Sequence, residues 1–153
     1  MTLDPAGVRG PIGPDSLETL ADREAICRLP QMYALGIDLR DEAMVRSVFA
    51  PDAVIRGVLG EAAADDYIPK LLAGVAAYEA TMHNITNQYA VVDGETGLVW
   101  SYAVALHFER PESGRSDMAM GVQYRDHVAR TDGGWWVSAR QTVKLWTRGQ
   151  TPG

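Results

Sequence analysis

Two residue types at long range carry the chemistry this chain can do. Thr81-Met82-His83-Asn84-Ile85-Thr86-Asn87 alternates polar and apolar side chains, the pattern of a strand with one wet or functional face. His83, one of only three histidines, stands where such a strand would push its ring off one face. Asp38 closes the first long helical stretch, where a helix C-terminus can overhang a sheet. An imidazole held in one tautomer by a carboxylate is a general base near neutral pH. On residue type alone, His83 could equally be a satisfied structural histidine and Asp38 a cap on the turn before Arg40 and Asp41.

Other side chains could share such a site. Val99, Ser101, Ala103, Ala105 and His107 alternate with Trp100, Tyr102, Val104, Leu106 and Phe108. The first set is small and partly polar and suits a pocket wall, with His107 near its rim or on plain surface. Tyr33 can donate to a carbonyl or hydroxyl, or be a core aromatic with a tethered hydroxyl. Arg140 shares a face with Trp136, Ser138 and Thr142; buried, it needs an acidic or polar partner such as Asp38, or a substrate oxygen. Asn87 either bonds in the pocket or finishes its strand. Tyr124 and Trp136 are the aromatics expected to touch substrate, and a few such rings favour a flat apolar ligand. His127 reads as structural. No glycine-rich phosphate loop, serine elbow or zinc spacing is present.

The elements that must position these residues follow from pattern. The chain has 153 residues, 46% of them hydrophobic and 22% charged, enough for one domain with a sizeable core. Net charge is -6, against a nucleic-acid footprint. No apolar run is long enough to span a membrane, and the single cysteine forms no intrachain disulfide, so a cytoplasmic setting is expected. Residues 1–14 read as a loose arm, 15–147 as the domain and 148–153 as a tail. Asp15 and Glu18 can form a capping box for a first helix. Pro30 should kink it or split it in two. Asp41 should cap a second helix over 42–49, ended by Ala50-Pro51-Asp52. A short strand at 53–58 and a loop at 60–64 precede a third helix, started by Asp65 or Asp66 with Pro69 in its first turn. Four strands follow, at roughly 81–92, 98–110, 116–130 and 135–147. They are joined by turns at Asp93-Gly94 and Asp132-Gly133-Gly134 and by a polar loop at 111–115. Helices first and strands later make an α+β domain with helices on one face of a sheet.

With those elements in order, the chain resembles the SnoaL-like branch of the nuclear transport factor 2-like superfamily. The matching pieces are Asp22-x-x-x-Ile26, Tyr33-x-x-x-x-Asp38, Phe49-Ala50-Pro51-Asp52-Ala53, Thr81-Met82-His83-x-x-x-Asn87, and Tyr124-x-Asp126 followed by Gly134-Trp135-Trp136-x-x-x-Arg140. The resemblance implies a cone, a curved, mostly antiparallel sheet closed by about three helices around a pocket. It also implies an enzyme that uses no cofactor and no metal, as many relatives do in a group that includes dehydratases, a dehydrochlorinase and polyketide cyclases. In that family an aspartate late in the first helix orients a strand histidine that takes a proton from carbon, positions matched by Asp38 and His83. Tyr33 matches a pocket tyrosine of the dehydratases, Arg140 resembles a last-strand arginine of several relatives and His107 a second strand histidine of a dehydratase, so all three are expected to share in catalysis. Elimination of water from a polycyclic, steroid-like or polyketide-like substrate is the first expectation. Isomerisation, cyclisation and dehydrohalogenation use the same machinery. A non-catalytic ligand-binding or assembly module, or the small subunit of a ring-hydroxylating oxygenase, shares the fold. Relatives pair through the sheet, so a homodimer or homotrimer is expected, with no nucleic-acid or membrane partner.

Overall fold

The computed structural model describes residues 13–131 and 133–149. The expected N-terminal arm thus falls almost wholly outside the described residues, as do Asp132 of the last turn and the end of the C-terminal tail. Helix α1 (Leu17–Leu39) and the short α2 (Glu42–Arg46) lead into β1 (Phe49–Gly57), β2 (Gly60–Ala63) and α3 (Ala64–Val75). Four long strands follow: β3 (Ala80–Asp93), β4 (Thr96–Phe108), β5 (Met118–Thr131) and β6 (Gly134–Arg148). They form one curved six-stranded sheet in the order β2-β1-β6-β5-β4-β3, antiparallel except where β1 runs parallel to β6. The architecture is the α+β cone expected from the sequence, with α1 lying on β3 and α3 on β1.

Where local reading and structure differ, a competing contact explains it. Ser16, not Asp15, caps α1: its hydroxyl accepts from the Thr19 N–H, while Asp15 is drawn into an ion pair with Arg23. Pro30 neither splits nor ends α1; it is buried, and one turn earlier the Cys27 carbonyl takes a 2.7 Å hydrogen bond from the Gln88 side chain of β3. Tertiary packing there outweighs the lost ladder bond. Asp41 does cap α2 through the Met44 N–H, but α2 stops at Arg46 because Val48 and Phe49 are recruited beside β6, with the Val137 N–H donating to the Val48 carbonyl. The expected loop over 60–64 is instead the edge strand β2, made by pairing Val54 through Gly57 with Ala63 through Gly60. α3 opens at Ala64 with no side-chain cap, which places Pro69 in its second turn.

The end of α1 matters most. The Arg40 N–H donates to the Ile37 carbonyl and the Asp41 N–H to the Gly36 carbonyl, a Schellman closure that needs a left-handed residue at Arg40, φ 56°. A non-glycine residue there costs on the order of 1 kcal/mol. Arg40 offsets it by donating to the Tyr78 and Glu79 carbonyls at 2.8 and 3.0 Å, which ties the helix end to the turn before β3. Gly36 lets α2 approach: a Cβ there would meet Val45 Cγ2 at 2.8 Å. Asp38, on the last turn of α1, is thereby laid against the free edge of β3.

Candidate active site

β3 is an edge strand, so one row of its backbone N–H groups has no neighbouring strand. Asp38 takes one of them, and more. Its Oδ2 accepts from the His83 backbone N–H at 2.8 Å; its Oδ1 accepts from the Thr81 hydroxyl at 2.9 Å and lies 2.7 Å from His83 Nδ1. A carboxylate only accepts, so the ring bond assigns the proton to Nδ1 and leaves Nε2 as the basic nitrogen. Burial works against the charge on Asp38, but the His83 ring, the His83 N–H and Thr81 together outweigh it and hold the carboxyl below its ordinary value. The His83 side chain is only 8% exposed. Thr81 lies in the stretch singled out from the sequence, yet only the structure shows its part. Its spacing of two from His83, hence the same strand face, was the available signal.

The lowered Asp38 carboxyl has a consequence for stability. A group whose folded pKa is depressed contributes stability above its unfolded value, here near 3.8, and loses it as pH falls through the folded value. Chemical denaturation of Asp38→Asn should therefore show a deficit that is full at neutral pH and shrinks below about pH 4. A deficit that is constant with pH would contradict the hydrogen-bonding account.

His83 lines a cavity of about 80 Å³ with Tyr33, Ile37, Tyr67, Ala105, His107, Tyr124 and Thr142 among its walls. A second chamber of about 370 Å³ continues it, sharing Val58, Leu71, Val75, His107 and Met120. His107 thus stands where the two meet. Its ring centroid is 5.7 Å from that of His83 and 4.7 Å from that of Tyr78, and its buried Nδ1 has no hydrogen-bond partner. Burial, and then the nearby His83, push its pKa below the ordinary histidine value, so His107 is neutral at pH 7. Tyr33 packs edge-on against Tyr124 at 5.5 Å. Burial pushes Tyr33 up to about 12 despite the opposing pull of Arg140, so its phenol keeps its proton.

Not every expected residue reaches this cavity. Arg140 is 2% exposed and does not line it. It pairs not with Asp38 but with Asp126, through Nε and Nη2 bonds of 2.7 Å each. Its guanidinium lies 4.1 Å from the Tyr33 ring centroid and 4.5 Å from that of Tyr124, a cation backing the pocket's aromatic wall. Asn87 is the extra residue of a β-bulge between Thr86 and Gln88, exposed and at φ 38°, and lies off the wall. Trp136 is half-buried opposite Ala129, also off it. His127 sits in β5 away from the cavity. Among the described residues no cluster of three or more His, Cys, Asp or Glu side chains could hold a metal, and no helix is long and apolar enough to cross a membrane.

Comparison with known structures agrees on the fold. A scytalone dehydratase-like protein of Novosphingobium aromaticivorans matches with TM-score 0.79 at 23% identity, over 90% of this chain and 94% of that one. The type 3 hexachlorocyclohexane dehydrochlorinase of Novosphingobium barchaimii matches with TM-score 0.76 at 21% identity, over 89% and 94%. The Kfla4162 protein of Kribbella flavida gives 0.77 at 24% identity, over 84% and 94%. A search of curated proteins finds no significant match. The family model for the SnoaL-like domain matches residues 18–141, from the first turn of α1 to the residue after Arg140, and the chain belongs to that family.

Proposed function

We propose that this chain is a cofactor-independent lyase in which His83, oriented by Asp38, removes a proton from carbon beside an electron-withdrawing carbonyl and water is then eliminated. One observation carries the reading: His83 Nδ1 is bonded to Asp38 on the wall of a cavity, leaving Nε2 as a base of the right tautomer. The C–H electrons move toward the carbonyl as His83 takes the proton. Tyr33, protonated at neutral pH, donates to the oxygen that gains charge, and Tyr124 packs beside it. The C–O bond then breaks, and the departing hydroxide recovers a proton from His83 directly or through neutral His107, so the enzyme ends as it began. Arg140 acts at one remove, by holding the two tyrosine rings. The inner chamber is too small for a polycyclic body. It would hold the reacting edge, with the body in the 370 Å³ chamber, which is within the size range of ligand pockets. Solved structures of the same fold include a dehydratase-like and a dehydrochlorinase protein, which fits a lyase. Isomerisation, cyclisation or loss of halide would share the first step. Deuterium uptake from D2O into polycyclic ketones and β-hydroxyketones, read by mass spectrometry, tests that step; no uptake across the panel would favour a binding module.

The outer sheet face supports a homo-oligomer. Tyr102 and Phe108 of β4 are exposed, Val104 and Leu106 half-exposed, and exposed Trp146 of β6 lies over Gly121, the β5 neighbour of Val104. Such a contiguous apolar patch on a sheet face marks a protein contact. Sedimentation should show a dimer or trimer at micromolar concentration that Trp146→Glu shifts to monomer. A clean wild-type monomer would refute it.

A further inference from the structure

The outer chamber has a charge pattern that the proton-transfer reading does not use. The chain contains only two lysines, Lys70 and Lys144, against 20 acidic residues. One is on α3 and the other on β6, yet both line the outer chamber. Both are exposed, and among the described residues neither pairs with a carboxylate, whereas eight of the nine ion pairs there involve arginine and the ninth is His83–Asp38. No aspartate or glutamate lines the chamber; apart from Tyr78 and His107, its other walls are apolar, among them Val58, Leu59, Leu71 and Val75. In an acidic protein, two unpaired cations at one apolar mouth set a local field opposite in sign to the net charge, which attracts anions.

We infer that the substrate is an amphiphile: an apolar ring body whose reacting edge reaches His83 and whose far end carries an anionic group, a carboxylate or a phosphate or sulfate ester, held at the mouth by Lys70 and Lys144. This rests on the proposed site being where substrate binds. The lysine ammonium is a mobile point charge with rotatable donors, suited to a group whose exact position varies. A neutral polycycle would gain nothing from either lysine.

The test uses two dyes with one body, 1-anilinonaphthalene-8-sulfonate and N-phenyl-1-naphthylamine, which differ by the sulfonate. Exposed charge pairs change affinity about threefold each, so the double variant K70Q/K144Q should weaken the sulfonate dye about tenfold. The neutral dye should change less than twofold, and 0.5 M salt should remove most of the wild-type preference. Arg28→Gln removes an exposed charge outside the chamber and should leave both dyes unchanged. Leu71→Trp fills the chamber and should weaken both. Parallel loss of both dyes in K70Q/K144Q, an Arg28→Gln effect as large as that of the lysines, or full sulfonate binding in Leu71→Trp would each overturn the inference. His83→Gln, assayed beside these variants, should lose deuterium exchange. If that variant loses deuterium exchange while the lysine pair proves irrelevant to the sulfonate, the base stands and the anion site falls; a lysine effect without any exchange in wild type separates them the other way.

Discussion

His83→Gln should abolish most of the deuterium exchange into a carbon acid, with a fall of roughly 10²–10⁴ in rate. Glutamine keeps the approximate size and polarity but has no basic nitrogen. Ligand affinity should change far less, because the side chain supplies one small stretch of a mostly apolar wall. The exchange step is the right readout, since it reports proton removal even when loss of the leaving group is slow. Asp38→Asn should lose activity as well: an amide in place of the carboxylate no longer fixes the Nδ1 proton or compensates the imidazolium. Thr81→Val should act more mildly, by removing one of three donors that hold Asp38. Exchange at the wild-type rate in His83→Gln would end the proposal, whatever Asp38→Asn does.

The pair behind that prediction was legible because each half obeys a local rule. His83 lies in a run of period two, so its face is set by its neighbours. Asp38 is a fixed number of residues past Tyr33 on one helix, and a helix end is the natural place for a carboxylate to meet a strand edge. What sequence could not supply was the closure itself. It depends on Arg40 accepting a left-handed backbone in exchange for bonds to the Tyr78 and Glu79 carbonyls, a choice visible only with the turn before β3 in place.

Asn87 and Arg140 were misread for one cause. Asn87 looks like a pocket donor if the alternation from Met82 continues through it. The bulge there adds one residue, leaves Asn87 unpaired and resets the period, so that Gln88 and Ala90 turn inward instead. β2 has no strand composition in Gly60-Glu61-Ala62-Ala63; it is a strand because β1 offers it an edge. The partner of Arg140 was hidden in the same way. Counting outward from the Thr131–Gly134 turn opposes Asp126 with Ala139. A bulge that inserts Ser138 between the partners of Val128 and His127 moves Asp126 opposite Arg140. Single-residue insertions of this kind leave no mark on composition, yet each reverses which face a side chain serves.

That buried pair yields the largest expected effect on stability. Asp126 is 1% exposed and Arg140 2%, and the two share a bidentate bond beneath Tyr33, Tyr124 and Phe49. Burial alone would lower the Arg140 pKa, but Asp126 and the surrounding rings outweigh it and raise it above its ordinary value, so the guanidinium stays charged. Removing Asp126 would strand that charge in the core. Asp126→Ala should therefore cost about 3–5 kcal/mol, read as the shift in urea-unfolding free energy. Replacing both members, as Asp126→Leu with Arg140→Met, should cost much less than either truncation, because well-packed apolar residues often substitute for a buried ion pair without loss. A loss under about 1 kcal/mol in Asp126→Ala would show that Arg140 finds other compensation and that the pair is not what holds the wall. The double variant also separates support from chemistry. It should fold, yet exchange more slowly than wild type, since the rings of Tyr33 and Tyr124 would no longer lean on a cation and the phenol proposed as donor to the oxyanion would lose its backing.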